Sequence, residues 1–178
     1  MAKTPDRIIN IPDGVQVIMK DKELEIIGPK GRLVQKIPSQ IQGLKIIQEK
    51  NQIFTQAERD QDRKFAGTFN ALITNGIIGV QQEHQKELEI KGGKVLLKEQ
   101  ELELTLGKSH SDKLAIPFDL KITCPTNNRI IIEGVDKEKV GSFSAKICAL
   151  RRPNPYKLKG IYPKGMIVRL KAGKSANK

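Results

Sequence analysis

A chain of 178 residues, 38% hydrophobic and 29% charged, has room for one medium domain or two small ones beneath a large polar surface. No apolar run approaches the roughly 18 residues that span a bilayer, two distant cysteines exclude a thiolate metal cluster, and 4% aromatic residues leave little material for a single-strand stacking platform. The net charge of +12 is concentrated: no acidic residue follows Glu138, eleven basic residues lie from Lys139 onward, and the first 138 residues net +1. That asymmetry favours a polyanionic partner such as nucleic acid.

The start, Met1 to Arg7, has neither the apolar core of a signal peptide nor the arginine-rich, acid-poor pattern of a transit peptide. Val15 to Ile18 and Glu23 to Ile26 read as strands around a Lys20-Asp21-Lys22 turn, the second alternating charge with aliphatic as a half-buried strand does. Gly28-Pro29-Lys30-Gly31 makes a tight turn into Leu33 to Ile37, and Leu44 to Ile47 pairs with Ile53 to Thr55 across Glu49-Lys50-Asn51-Gln52. From about Asp62 the period changes: Phe65, Phe69, Leu72, Ile73, Ile77 and Val80 recur at helical spacing and predict a helix over one sheet face.

The second half repeats the plan. Gly67 to Ile73 aligns with Gly141 to Ile147, Leu44-Lys45-Ile46 with Leu120-Lys121-Ile122, and Leu24-Glu25-Ile26 with Leu102-Glu103-Leu104, at offsets of 74, 76 and 78. Three matches in one order predict an internal duplication. The fold class is α+β: two tandem similar domains, residues 1–82 and 83–178, each an antiparallel sheet packed by one helix, plus an extended basic C-terminal arm. Strands are clearest at Glu87 to Lys91, Glu101 to Leu106 and Arg129 to Glu133, with turns at Gly92-Gly93 and Thr126 to Asn128; Asp136 caps a helix running to about Leu150.

Past that helix, Pro153 and Pro155 fix φ and bias Arg152 and Asn154 away from helix, so the segment is expected to leave as an extended strip that does not readily fold back. Met166 to Leu170 is expected to form a strand that docks it. The side chains offered suit phosphate and ribose, and the candidate RNA-binding residues are Arg151, Arg152, Asn154, Tyr156, Lys157, Lys159, Gly160, Lys164, Arg169 and Lys171. Tyr156 either stacks on a base or sugar or packs against its own domain, and the flanking prolines favour packing.

Pro153-Asn154-Pro155-Tyr156-Lys157-Leu158-Lys159-Gly160-Ile161 resembles the Pro-Glu-Pro-Tyr-Lys-Gly-Lys-Gly-Ile signature of the ribosomal large-subunit protein six family, bacterial and organellar type. The resemblance extends through Ile11 to Val15, Gly28 to Gly31, Leu106 to His110 and Gly134 to Gly141, in the family's order. Asn154 replaces an acidic residue, Leu158 a glycine, and Tyr162-Pro163 stands where Arg-Tyr is usual, which removes one RNA contact. The resemblance implies a ribosomal, ribonucleoprotein constituent, in a bacterium, plastid or mitochondrion, serving translation. Its second domain would anchor on large-subunit ribosomal RNA close to the loop where translation GTPases dock. Its partners would be that RNA and neighbouring ribosomal proteins, without membrane or small-molecule substrate.

Other candidates for chemistry are weak. His84 and His110 stand apart without a carboxylate or cysteine at ligand spacing. Gly28 to Gly31 lacks the Gly-Lys-Ser/Thr ending of a nucleotide cradle and reads as a hairpin tip with an exposed lysine. Glu101 and Glu103 lie on one strand face as its solvated side. Cys124 and Cys148 read as small buried reduced thiols. No catalytic residue, metal ligand or cofactor site is identified, so an enzyme acting on RNA is disfavoured. A free DNA-binding protein lacks a helix with clustered basic residues.

Overall fold

The computed structural model describes residues 8–20, 23–37, 44–49, 52–57 and 63–173. Residues 1–7, the central residues of the turns at Lys20 to Lys22 and at Glu49 to Gln52, and the expected helix start near Asp62 lie outside them. In chain order the described elements are β1 (Ile9–Asn10), β2 (Gln16–Lys20), β3 (Glu23–Gly28), β4 (Gly31–Lys36), β5 (Leu44–Glu49), β6 (Gln52–Ala57) and α1 (Arg63–Gln81). They continue with β7 (His84–Lys91), β8 (Lys94–Lys98), β9 (Glu101–Thr105), β10 (Asp112–Ala115), β11 (Lys121–Thr126), β12 (Arg129–Gly134), α2 (Lys137–Leu150) and β13 (Gly160–Pro163). The described residues divide into two units, one reaching Glu83 and including Val135–Lys137, the other comprising His84–Gly134 and the residues from Glu138 onward.

The α+β class holds in both units, and each distributes its strands over two antiparallel sheets. In the first unit these are β2-β3-β4 and β1-β6-β5. The stripe of α1 buries Ala66, Phe69, Ile73, Ile77 and Val80, of which Ile73, Ile77 and Val80 share one cluster with Leu24 and Ile26 of β3 and Ile53 of β6. Phe65, counted in that stripe from its spacing, sits at its edge and is 37% exposed. The Gly28-Pro29-Lys30-Gly31 turn is a hairpin tip. The Lys30 amide donates to the Val80 carbonyl at 2.9 Å, satisfying one of the carbonyls a helix leaves open at its C-terminus. Gly28 permits that approach, since a Cβ there would stand 2.7 Å from Val80 Cγ2.

The second unit's sheets are β8-β9-β10 and β11-β12-β7-β13. Strand alternation turns Leu88 and Ile90, Leu102 and Leu104, and Ile130 and Ile132 inward, and Val140, Phe143 and Ile147 of α2 complete the core with Ile161. Phe69 and Phe143, paired by the duplication, are both 5% exposed, and Phe143 lies in the second unit's core cluster. The sequence pattern does not single out β8 or β10, which at five and four residues are too short to set up a period.

On the β8-β9-β10 sheet, Lys98 Nζ lies 2.7 Å from Glu103 Oε2 and Ser111 Oγ donates to Glu103 Oε1 at 2.8 Å. The Lys98 hydrogen bond first, then that of Ser111, holds the Glu103 carboxyl below its ordinary value of 4.5. A carboxyl whose folded pKa lies under its unfolded one stabilises the fold above the unfolded value, and the contribution is lost as pH falls through the folded value. The second unit is therefore expected to weaken on acidification below pH 4.5. That acid loss should be smaller in Lys98→Met with Ser111→Ala, read by urea unfolding at neutral and acid pH.

Candidate nucleic-acid interface

The basic segment folds back on itself instead of running out as a strip. After Leu150 the chain goes out through Arg151–Asn154, turns over Pro155–Lys157, and returns into β13. Asn154 closes this loop. Its amide donates to the Lys159 carbonyl at 2.9 Å, its carbonyl accepts from the Leu158 amide at 3.0 Å, and its Oδ1 accepts from the amides of Tyr156 and Lys157 at 2.8 and 3.2 Å. An Asx-type turn of this kind satisfies backbone donors that an open strip would leave to water. Pro153 lies on the extended outward path, and local hydrogen bonding reverses the chain from Pro155 onward.

At the base of the loop, the Ile161 amide donates to the Arg151 carbonyl at 3.1 Å. β13 adds itself to the edge of β7, with Gly160 opposite Lys91, Ile161 opposite Ile90 and Tyr162 opposite Glu89. Gly160 is buried at φ +145, and a Cβ there would lie 2.7 Å from Pro153 Cα and 2.8 Å from the Arg152 carbonyl. The close approach that this glycine permits in the fold is thus to its own chain. Asn154 likewise spends its side chain on the turn.

The other candidates separate into free and occupied cations. Arg152, Lys157, Lys159, Arg169 and Lys171 are exposed, and no ion pair is present to any of them among the described residues. The stem of Lys159 lies over Gly92, whose missing Cβ would stand 2.9 Å from Lys159 Cγ. The Lys171 amide donates to the Pro155 carbonyl at 3.1 Å, which brings Lys171 beside the loop. Lys164 is occupied: its ammonium pairs with Glu87 and its amide donates to the Glu87 carbonyl at 2.9 Å. Arg151 is half-buried, its guanidinium over Gly107 with Nη1 enclosed and without a hydrogen-bond partner.

Two further expectations are corrected. Tyr156 is 57% exposed, so more than half of it is left uncovered instead of packed into its own unit. Met166 to Leu170 forms no strand, and Met166, Ile167 and Leu170 are 52%, 94% and 57% exposed. The strand that docks the segment is β13, and the turn beyond it, with Met166 N–H on the Pro163 carbonyl at 3.0 Å and Gly165 at φ +83, ends the pairing. One cation escaped sequence reasoning. Lys91 is exposed, lies 5.1 Å over the buried Tyr162 ring, and reaches the loop through the β7–β13 pairing, a long-range register with no local signal.

Leu158 occupies the left-handed region at φ +53, where a side chain costs about 1–2 kcal/mol and glycine almost nothing. Leu158→Gly is therefore expected to raise the second unit's stability by about 0.5–1 kcal/mol after some packing is lost. Denaturant unfolding checks this; a destabilised variant would mean that its half-buried side chain contributes more than the backbone strain costs.

Elsewhere the chemistry is quiet. Burial pushes the Cys124 and Cys148 thiols above their ordinary range, which keeps them neutral and poorly nucleophilic. Among the described residues no cluster of histidine, cysteine and carboxylate groups could hold a metal ion, and no helix is long and apolar enough to cross a membrane.

The family model described as Ribosomal protein L6 matches this chain twice, over residues 11–83 and 91–163, which accords with the internal duplication. Curated relatives named Large ribosomal subunit protein uL6 align end to end. That of Rhodopirellula baltica is 36% identical over 182 residues, covering all of both chains. That of Aster yellows witches'-broom phytoplasma is 39% identical over 185 residues, covering 100% of this chain and 98% of its own. That of Thermotoga maritima is 38% identical over 184 residues, covering 99% and 100% respectively. With two family matches in tandem and full-length relatives above a third identical, the chain belongs to the ribosomal protein L6 family.

Proposed function

We propose that this chain is a structural, non-catalytic constituent of the large ribosomal subunit, built from domains of residues 1–82 and 83–178. The second domain binds large-subunit ribosomal RNA through the closed loop of Arg152 to Lys159 and the cations of Arg169 and Lys171. The observation that carries the reading is the set of five exposed cations without ion-pair partners among the described residues, three of them on a loop that its own hydrogen bonds pre-form and Lys171 beside it. Recognition is of phosphate backbone and shape, since a turn tip with isolated lysines and one exposed tyrosine lacks the paired donors and acceptors that read base edges. Tyr156 stacks on a base or sugar beside those phosphates, and Lys91 adds a cation at the loop's base. The family's signature, carried by Pro153 to Ile161, supports a location near the loop where translation GTPases dock. The nearly neutral first domain faces neighbouring ribosomal proteins or solvent.

Sedimentation of native extract tests the assignment. The chain is expected to migrate with the large subunit; a chain that runs free would end the ribosomal reading.

A further inference from the structure

Away from the basic loop, the second unit carries a groove of opposite chemistry. Phe118 is 91% exposed at the tip of a turn closed by the Leu120 amide on the Pro117 carbonyl at 3.1 Å. The Ile116 amide donates to the Gln100 carbonyl at 2.8 Å, which fixes this turn beside the β8–β9 turn, where Glu99 sits at φ +42. Between the two turns lies an open groove of about 180 Å³ lined by Leu97, Ile116, Pro117, Phe118 and Ile122, with Glu99 as its one ionisable residue. Leu97 is 42% exposed. Apolar groups held out of the core in this way serve contact with a partner more than folding.

Charge decides which partner. The chain carries +12, yet no lysine or arginine lines the groove, and Lys98 and Lys139 of the same unit are paired, with Glu103 at 2.7 Å and with Asp119 at 2.5 Å. Glu99 and the exposed Glu101 present negative charge, so a phosphate backbone meets repulsion instead of a counter-ion. Size decides its form: the groove is below the roughly 300–1,000 Å³ of cofactor pockets and accommodates one or two side chains.

We propose that the Phe118 groove docks a neighbouring ribosomal protein, through a short segment with an apolar side chain seated against Phe118 and Leu97 and a lysine or arginine opposite Glu99. The proposal rests on the ribosomal assignment above and adds the chemistry of a protein partner to it. Phe118 is the aromatic anchor of the contact, and the carboxylates supply the complementary rim.

Photocrosslinking in assembled particles tests it. With benzoylphenylalanine at position 118 of the full chain, irradiated large subunits are expected to yield a crosslink to another ribosomal protein, within a peptide carrying an apolar residue close to lysine or arginine. A crosslink to RNA, to a second copy of this chain, or to nothing in particles that contain the chain would overturn the proposal. A synthetic peptide of the crosslinked segment should bind the purified chain, and Phe118→Asp and Glu99→Lys should each weaken it at least about tenfold. Equal affinity for all three chains would overturn it as well. Both substitutions are at exposed positions, and an unchanged melting temperature confirms that each variant is folded. Absence of the chain from large subunits would instead defeat the ribosomal assignment, so the two failures are distinct.

Discussion

A chain carrying Lys157→Ala and Lys159→Ala together is expected to bind large-subunit ribosomal RNA with a log K against log salt slope shallower by about one to two units. Each lysine that neutralises a phosphate releases condensed counterions, so removing two removes up to two such terms. The fold should be unaffected: both head groups are exposed, and the loop is held by the hydrogen bonds of Asn154 instead. Lys164→Ala is the internal control. Its ammonium is already neutralised by Glu87, so its effect on the slope should be smaller than that of either loop lysine. An unchanged slope in the double variant, or a complex in which Lys157 and Lys159 face solvent, would remove the loop from the RNA interface.

The β13 pairing also changes which truncation is informative. Deleting residues 151–178 would remove β13 together with buried Ile161 and Tyr162, so lost binding would be confounded with an unfolded second unit. Ending the chain after Pro163 removes Arg169 and Lys171 while leaving the loop and the sheet intact. That variant should keep a cooperative unfolding transition and part of the RNA affinity.

The largest loss of stability is expected from Phe143→Ala, roughly 3–5 kcal/mol against a total of about 5–15 kcal/mol for a typical domain. Phe143 is 5% exposed in the cluster containing Leu88, Ile130, Ile132 and Ile147, where a deleted ring leaves a cavity that the sheet and α2 cannot close. Phe69→Ala should cost the first unit a similar amount. Because the two buried clusters share no residue, each variant is expected to shift the unfolding of its own unit and leave the other's amide-exchange protection in place. Phe118→Ala, at a 91% exposed position, should change stability little. Equal loss of protection in both units of Phe143→Ala would show that they unfold as one.

The legible parts of the fold were those with a strong local period. Ile73, Ile77 and Val80 fall on the same face as Phe69, and all four are buried. Phe65 shares an i, i+4 spacing with Phe69 yet lies at the stripe's edge, because hydrophobic spacing marks a face without marking its width. Met166 to Leu170 has the composition of a strand, but composition supplies no partner, and the edge of β7 is occupied by β13. Asn154 and Gly160 stand among the candidate RNA-binding residues in the sequence. Whether their freedom served the RNA or the chain itself depended on the return path, which places Gly160 against Pro153.

By itself, the sequence determined the duplicated α+β plan, the helix faces and the concentration of positive charge after Glu138, since periodicity, internal similarity and charge are properties of neighbouring residues. Tertiary structure alone decided which of those charges remain available. Lys164 is silenced by Glu87, Arg151 is drawn over Gly107, and Lys91 is brought to the loop, each through residues far apart in the chain. Sheet register and ion pairing between distant segments follow from how the whole chain closes on its core, and no short window of sequence carries that information.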